Sequence, residues 1–114
     1  MKAIVDEGVA VRLVSALVGR GSDVSPFPDL WRGLKNGALL ARVVEAGFGC
    51  LISGDKNLRH QQNLKRWQIG LVVLPRPRFE DLEPMLDAIA LAVDRAAPGT
   101  VIVLDAAGNA EYVG

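Results

Sequence analysis

The sequence predicts an α/β protein in which a mostly parallel, five-stranded sheet lies between two layers of helices. Short apolar runs alternate along the chain with segments whose apolar residues recur at helical spacing. This alternation is typical of parallel sheets. The run "IGLVVLP" is apolar throughout, as expected of a strand buried on both faces. Because right-handed crossovers place helices over both faces of the sheet, we expect a three-layer α/β/α arrangement.

The first half of the chain predicts three strands separated by two helices. The strands are "AIV" (3–5), a weaker "DVSPF" (23–27) that prolines cut short, and "GCLIS" (49–53). The first helix has one apolar face, and glycines end it: Ala10, Leu13, Val14, Leu17, Gly19 and Gly21. After a loop, "PDLWRGLKN", the second helix begins near Asn36 and ends before Gly47, and its apolar stripe consists of Leu39, Leu40, Val43 and Val44.

The second half predicts a polar loop, two strands and the longest helix. "SGDKNLRHQQNL" (53–64) contains only two leucines that could enter a core, so we expect a loop with a turn or two of helix. "IGLVVLP" (69–75) and "TVIVLD" (100–105) are the fourth and fifth strands. The helix between them has apolar positions at Leu82, Met85 or Leu86, Ile89 and Val93. Pro84 is tolerable there only in the first turn. "AAGNAEYV" predicts a hairpin turn with a short return.

Length and composition limit the class of protein. A chain of 114 residues, half of them hydrophobic, predicts one domain spanning 1–114. Lys plus Arg and Asp plus Glu each number 13, which gives no global electrostatic reason to expect a nucleic-acid or membrane partner. Cys50, within "FGCLI", is expected to be a buried small hydrophobe. Acids interrupt the N-terminal apolar residues, and no run approaches the roughly 18 apolar residues of a membrane span, so we expect a cytoplasmic protein.

Acidic side chains follow two of the predicted strands. Asp6 and Glu7 come directly after the first strand, and Asp55 follows the third strand by two residues. In an open parallel sheet, ligands bind beyond the carboxyl ends of the strands. We therefore expect these acids to meet at one rim, with Asn36 entering on the same side. Hard oxygen groups of this kind suit Mg²⁺ or Mn²⁺. As structural alternatives, Asp6 could cap a helix, Glu7 could be solvated and Asp55 could form an Asx-turn.

Longer segments resemble a known family. "MKAIVDEGVAVRLVSALVGRGSDV" is similar to the opening of the PIN-like proteins of the DUF5615 type, in the VapC-like toxin superfamily, where a strand ends in Asp-Glu and a Gly-x-Asp-Val segment begins the second strand. "WRGLKNGALLARVVEAGFGCLISGDKNLRHQQNL" resembles a subgroup with a "G-L-K-N-G-x-L-L" helix start and a "T/S-x-D-K-N-L-x-x-Q-Q-N-L" loop. The resemblance covers nearly the whole chain and implies a three-layer PIN-like fold.

The resemblance also implies a function. Many PIN-like proteins are Mg²⁺- or Mn²⁺-dependent ribonucleases, often the toxin of a bacterial toxin–antitoxin pair, so RNA, an antitoxin protein and a second copy of the chain are the implied partners. Asp6 and Asp55 match metal-binding acids and are the implied catalytic residues, and the full implied metal set is Asp6, Glu7, Asn36, Asp55 and Asn57. The two asparagines stand where a PIN nuclease has acids, and divalent affinity falls with ligand charge. The alternative is therefore a catalytically weak or inactive PIN-like binding or regulatory module.

A phosphoacceptor receiver domain is a third candidate, because an acid pair after the first strand and an Asp after the third also define that site. Receivers add a Lys after the fifth strand and a fifth helix. "TVIVLDAAGN" ends in Asp105 without either, so this candidate ranks last.

Polar residues of the same loops are candidate substrate contacts. Cations could contact phosphates, and these are Lys35, Lys56, Arg59, Lys65 and Arg66. Amides could contact a base edge or sugar, or could equally cap the loop backbone, and these are Gln61, Gln62 and Asn63. The structural alternative for the cations is a solvated charge run. Trp31 and Trp67 flank these motifs and could stack a base, with packing as their structural alternative. His60 has no visible catalytic partner and is expected at the surface.

Overall fold

The computed structural model describes residues 2–113, apart from the side chain of Asn36. Six strands form one sheet in the order β2-β1-β3-β4-β5-β6. They are β1 Ala3–Val5, β2 Val24–Ser25, β3 Cys50–Ser53, β4 Gly70–Val73, β5 Val101–Leu104 and β6 Ala110–Val113. The first five are parallel, and β6 is antiparallel to β5. The predicted α/β class is confirmed, and the predicted short return is a sixth strand.

Six α-helices lie between the strands in the described part of the chain. They are α1 Val11–Val18, α2 Asn36–Glu45, α3 Leu58–Gln61, α4 Leu64–Trp67, α5 Phe79–Leu82 and α6 Leu86–Arg95. The longest predicted helix is divided, because the 3₁₀ turn Glu83–Met85 separates α5 from α6. Pro84 lies in that turn, where its missing N–H and its ring are tolerated. None of the described helices has the length and apolar character needed to cross a membrane.

Two hydrophobic cores lie on opposite faces of the sheet. The first face buries alternate strand residues under α1, α5 and α6: Ala3, Val5, Cys50, Ile52, Val72, Leu74, Ile102 and Leu104. The second face buries the intervening residues under α2, α3 and α4: Ile4, Leu51, Leu71, Val73 and Val101. This arrangement confirms the three layers. Cys50 is buried as predicted, and burial raises the pKa of its thiol to about 12.

The connection from β4 to β5 crosses the sheet on an unexpected face. The chain moves from β3 to β4 and from β4 to β5 in the same direction, yet α3 and α4 cover the second face whereas α5 and α6 cover the first. The β4–β5 crossover is therefore opposite in hand to the β3–β4 crossover, an exception to the rule that such connections are right-handed. As a consequence, no described helix of this connection covers the second face above β5.

Candidate functional site

The carboxyl ends of β1 and β3 form the point where the strand order reverses. The chain goes from β1 to one neighbour, β2, and then returns past β1 to β3 on its other side. Val5 is in register with Ile52, and the backbone N–H of Asp6 donates to the carbonyl of Ile52 at 2.8 Å. Ligands of open α/β sheets bind at such switch points. The residues that follow β1 and β3 therefore occupy the rim expected from the sequence.

A buried serine joins the two acidic segments. The side-chain hydroxyl of Ser53 donates to Asp6 Oδ2 at 2.7 Å and accepts from the backbone N–H of Asp55 at 3.0 Å. Ser53 is the last residue of β3 and is 0% exposed. Because a buried hydroxyl must find partners, these two contacts fix its position. Asp6 and Asp55 are thus brought together as the sequence predicts.

The electrostatic environment of Asp6 favours a cation or a proton. Burial raises the pKa of its carboxyl above the ordinary value, because the charged form loses hydration. Hydrogen bonds from the Ser53 hydroxyl and from the Glu7 backbone N–H, the latter at 2.8 Å, act in the opposite direction, while the negative charges of Asp55 and Glu7 raise the pKa further. A bound cation would relieve both the repulsion and the loss of hydration.

Asp55 forms the Asx-turn that was its structural alternative. Its Oδ1 accepts from the backbone N–H of Asn57 at 2.9 Å, which orients the carboxylate at the start of the loop that leads into α3. Among residues 2–113, the side chain of Asn36 excepted, no group donates a hydrogen bond to Oδ2 of Asp55. The turn and a ligand role are therefore compatible, since only one of the two carboxylate oxygens holds the turn.

The other predicted ligands are arranged differently. Glu7 Oε1 accepts from the backbone N–H of Gly33 at 3.1 Å, so this carboxylate anchors the loop before α2. The side chain of Asn36 lies outside the described residues, although α2 begins at this position. In the part of the chain that is described, no three His, Cys, Asp or Glu residues form a group that could hold a metal ion. Glu7 therefore shares the rim with Asp6 and Asp55, and one of its carboxylate oxygens also holds the loop before α2.

The pair nevertheless fits one class of ion. Mg²⁺ retains several waters and is commonly bound through one or two carboxylates, whereas a structural zinc site requires about four protein ligands. Two carboxylates at a solvent-accessible rim are enough for Mg²⁺ and too few for a structural zinc site. Mg²⁺ or Mn²⁺ is therefore the ion that the donor set suits.

Two clefts border the pair, one above each face of the sheet. The Lys35 cleft has a volume of about 360 Å³ and is lined by Asp6, Glu7, Leu34, Lys35, Leu39, Asp55 and Leu58. The Arg76 cleft has a volume of about 250 Å³ and is lined by Asp6, Glu7, Gly8, Val9, Gly54, Asp55, Leu74, Arg76 and Pro77. The leucines of the Lys35 cleft belong to the core on the second face of the sheet. Val9 and Leu74 of the Arg76 cleft belong to the core on the first face. The acids lie between the clefts.

The predicted substrate contacts are divided between separate places. Lys35 lines the cleft named after it. Arg59, Gln62 and Asn63 instead line a groove of about 350 Å³ beside α4, β5 and β6. Lys56 and Gln61 line neither cleft nor this groove. Lys65 lines the same groove, and Arg66 lines a separate cavity with Trp67. Of the eight predicted contacts, only Lys35 lines a cleft beside the acids.

The amides in the groove have structural roles. Asn63 Oδ1 accepts from the backbone N–H of Arg66 at 3.2 Å and caps α4. Gln62 Oε1 accepts from the indole N–H of Trp67 at 3.3 Å.

Both tryptophans that could stack a base make structural contacts. Trp67 donates to Gln62, and Trp31 packs edge-on against Phe27, with ring centroids 6.2 Å apart. The capping and packing alternatives are therefore realised in the structure.

Arg76 is the rim residue that sequence reasoning missed. It follows the end of β4 by three residues and lines a cleft with Asp6 and Asp55. Because β4 is parallel to β3 and adjacent to it, the carboxyl-end argument that located Asp55 also applies to "LPRPR". That position is the signal in the sequence that would have found Arg76.

This fold shares one feature with receiver domains and lacks two others. The order of the parallel strands, β2-β1-β3-β4-β5, is also found in flavodoxin-like folds. However, β5 is followed by Asp105, whose Oδ1 accepts from the backbone N–H groups of Ala107 and Asn109, both at 2.9 Å. This turn leads into β6, and the described chain contains no Lys or helix there.

The geometry of the rim is therefore the basis for assigning a function. Its defining elements are the Asp6–Ser53–Asp55 connection and the two clefts beside it, one lined by Lys35 and the other by Arg76. No protein-family model, curated protein or solved structure matches this chain.

Proposed function

We propose that the protein is a PIN-like ribonuclease that depends on Mg²⁺ or Mn²⁺, with Asp6 and Asp55 as the residues that hold the ion. The observation that carries this proposal is the hydrogen-bonded connection from Asp6 through Ser53 to Asp55 at the switch point of the sheet. The resemblance described above adds the substrate class, RNA, and a biological role as the toxin of a toxin–antitoxin pair acting in the cytoplasm.

The residues at the rim would contribute to phosphodiester hydrolysis in distinct ways. A divalent ion held there would lower the pKa of a bound water and neutralise charge on the phosphodiester. Ser53 holds the Asp6 carboxylate in place through its 2.7 Å hydrogen bond. The Asx-turn holds Asp55. Lys35, in the adjoining cleft, supplies a positive charge for the substrate backbone.

A second candidate is a PIN-like binding or regulatory module with weak or no catalytic activity. Asn57 contributes its backbone N–H to Asp55 and an uncharged side chain in place of an acid. No three acidic, His or Cys side chains form a metal-binding group within residues 2–113. A site with fewer charges binds divalent ions more weakly, which favours this candidate.

The test of the proposal is a ribonuclease assay with matched variants. Wild-type protein is expected to cleave single-stranded RNA with Mg²⁺ or Mn²⁺ and not with EDTA, and Asp55→Asn is expected to lose this activity. Asp94→Asn removes one charge from an exposed position on α6 and is expected to retain activity. If wild type and Asp55→Asn cleave equally, the activity does not come from this site and the nuclease proposal fails.

A thermal-shift measurement separates the two candidates from each other. Mn²⁺ is expected to raise the melting temperature of the wild type, because a ligand that binds only the folded state stabilises it. The shift is expected to disappear in Asp6→Asn and Asp55→Asn. A shift without RNA cleavage would support the inactive module, and no shift at millimolar metal would count against both the metal site and the nuclease.

A further inference from the structure

We propose that Arg76 binds a phosphate group of the nucleic-acid substrate next to the acid pair. This inference rests on the proposed function, because it assumes a phosphodiester substrate. Arg76 follows β4, the strand beside β3, and lies at the same rim as Asp55. It lines the Arg76 cleft together with Asp6 and Asp55. The residue would therefore contact a substrate that reaches the acids.

The position of Arg76 complements that of Lys35. The apolar wall of the Arg76 cleft includes Val9 and Leu74, which belong to the core on the first face of the sheet. The apolar wall of the Lys35 cleft includes Leu39 and Leu58, which belong to the core on the second face. A cation thus lies on each side of the acid pair. A nucleic-acid strand that crosses the rim would meet one cation before the acids and the other after them.

Arg76 is not neutralised by the acids that share its cleft. The four ion pairs found among residues 2–113 are Arg12–Glu80, Arg20–Asp87, Arg32–Asp29 and Arg78–Glu80. Arg76 is an exposed residue, and without an ion-pair partner its guanidinium keeps its donors for a ligand. A guanidinium presents paired N–H groups that match two oxygens of a phosphate, and such charge-assisted bonds are stronger than neutral ones. The chemistry of Arg76 thus suits a phosphodiester oxygen.

Arg78 is a natural control in the same short segment. It lies two residues after Arg76, carries the same charge and is exposed, with 77% of its side-chain surface accessible. It differs by pairing with Glu80 at 3.8 Å and by lining neither cleft. Any effect of net charge alone should be equal for the two arginines. An effect of position should be confined to Arg76.

The experiment measures binding without cleavage. A fluorescein-labelled single-stranded oligoribonucleotide is titrated with full-length Asp55→Asn protein in EDTA at low salt, followed by fluorescence anisotropy, and each arginine variant is made in that background. Adding Arg76→Ala is expected to weaken binding by on the order of tenfold, typical for loss of one charge-assisted contact. It should also make the plot of log affinity against log salt shallower by about 0.7, the value for one phosphate contact to a single strand. Adding Arg78→Ala is expected to change neither quantity.

A conservative replacement tests the geometry of the contact. Arg76→Lys retains the charge but loses the paired donors, so it should restore the salt dependence and only part of the affinity. Equal affinities for the Arg76→Ala and Arg78→Ala proteins, or no binding by the Asp55→Asn protein itself, would overturn the inference. Binding that depends on Arg76, with no RNA cleavage by the wild type, would support it while the nuclease proposal fails. Cleavage by wild type that Arg76→Ala leaves unchanged in KM and kcat would overturn only the inference.

Discussion

Ser53 donates a 2.7 Å hydrogen bond to Asp6 and so joins the ends of two neighbouring strands from positions 47 residues apart in sequence. The same hydroxyl accepts from the backbone N–H of Asp55, and Ser53 is fully buried. A single side chain therefore orders both acids of the candidate site. The serine is also a stabilising element, since its loss would leave the Asp55 backbone N–H without this acceptor and the Asp6 carboxylate with one donor fewer.

Replacing Ser53 with alanine is expected to destabilise the fold. The Asp55 backbone N–H would lose its acceptor and the Asp6 carboxylate would lose a donor, and a buried polar group left unpaired costs about 1–3 kcal/mol. Urea denaturation should show a lower free energy of unfolding for Ser53→Ala by about this amount. Ser53→Thr retains the hydroxyl and should lose less. A Ser53→Ala protein as stable as wild type would show that the hydrogen bond has no net stabilising effect.

Asp6 is expected to reduce stability at neutral pH. Its pKa in the folded protein is raised above the ordinary value of 3.8, chiefly by burial, so the folded state binds the proton more tightly than the unfolded state. The contribution of Asp6 to stability therefore falls as pH rises from the ordinary pKa through the raised one. Asp6→Asn cannot ionise and should be more stable than wild type at neutral pH.

The pH dependence identifies the cause of that difference. The advantage of Asp6→Asn in urea denaturation should shrink as the pH is lowered towards 3.8, because the wild-type carboxyl is then protonated in the folded state. Asp94→Asn, on the exposed surface of α6, controls for the loss of one charge. An advantage of Asp6→Asn that stays constant with pH would contradict the raised pKa as its source.

The position of the site could be predicted from the sequence because it depends on local patterns. Apolar runs locate β1 and β3, and in a parallel sheet their carboxyl ends must lie at one edge. Asp6 and Asp55 follow directly from that rule. The same rule covers β4, whose carboxyl end is followed by Arg76. This residue was missed because the rule was not applied to the end of the fourth strand.

Other features depend on long-range packing that no local pattern encodes. The face on which α5 and α6 lie is set by contacts of Phe79 and Ile89 with the core shared by α1, and the general rule for crossover hand predicts the other face. The orientation of Glu7 depends on Gly33, a loop residue 26 positions away. The division of the polar loop depends on Asn63, which caps α4. The sequence therefore indicates which residues reach the rim more reliably than what each one contacts.

The start of β4 requires a glycine for steric reasons. A Cβ on Gly70 would lie 2.9 Å from the carbonyl oxygen of Ala97 and 3.3 Å from the Cβ of Ala96. The strand cannot easily move, because the Gly70 N–H donates to the carbonyl of Gly49 at 2.8 Å. Gly70→Ala is expected to lower the free energy of unfolding by about 1–3 kcal/mol, as overpacking does. Gly54→Ala is the control, because its Cβ would meet nothing within 4 Å, and equal losses in the two variants would contradict the steric explanation.

Placing an acid at position 57 is expected to strengthen metal binding. The Asn57 backbone N–H already donates to Asp55, so Asn57→Asp adds a negative charge two residues from Asp55 without removing that hydrogen bond. One unit charge a few ångströms from a divalent ion contributes about 1 to 2 kcal/mol in water-like surroundings, which corresponds to an increase in affinity on the order of tenfold. Mn²⁺ titration by isothermal calorimetry measures this change.

Asn63→Asp is the matched control for that charge. Asn63 caps α4 through its Oδ1, which an aspartate can also do, and it lines the separate groove rather than either cleft beside the acids. Equal increases in Mn²⁺ affinity for the two variants would reflect net charge and contradict a site at the Asp6–Asp55 pair. An increase confined to Asn57→Asp, together with new or stronger RNA cleavage, would show that the missing charge at position 57 limits the activity of the wild type.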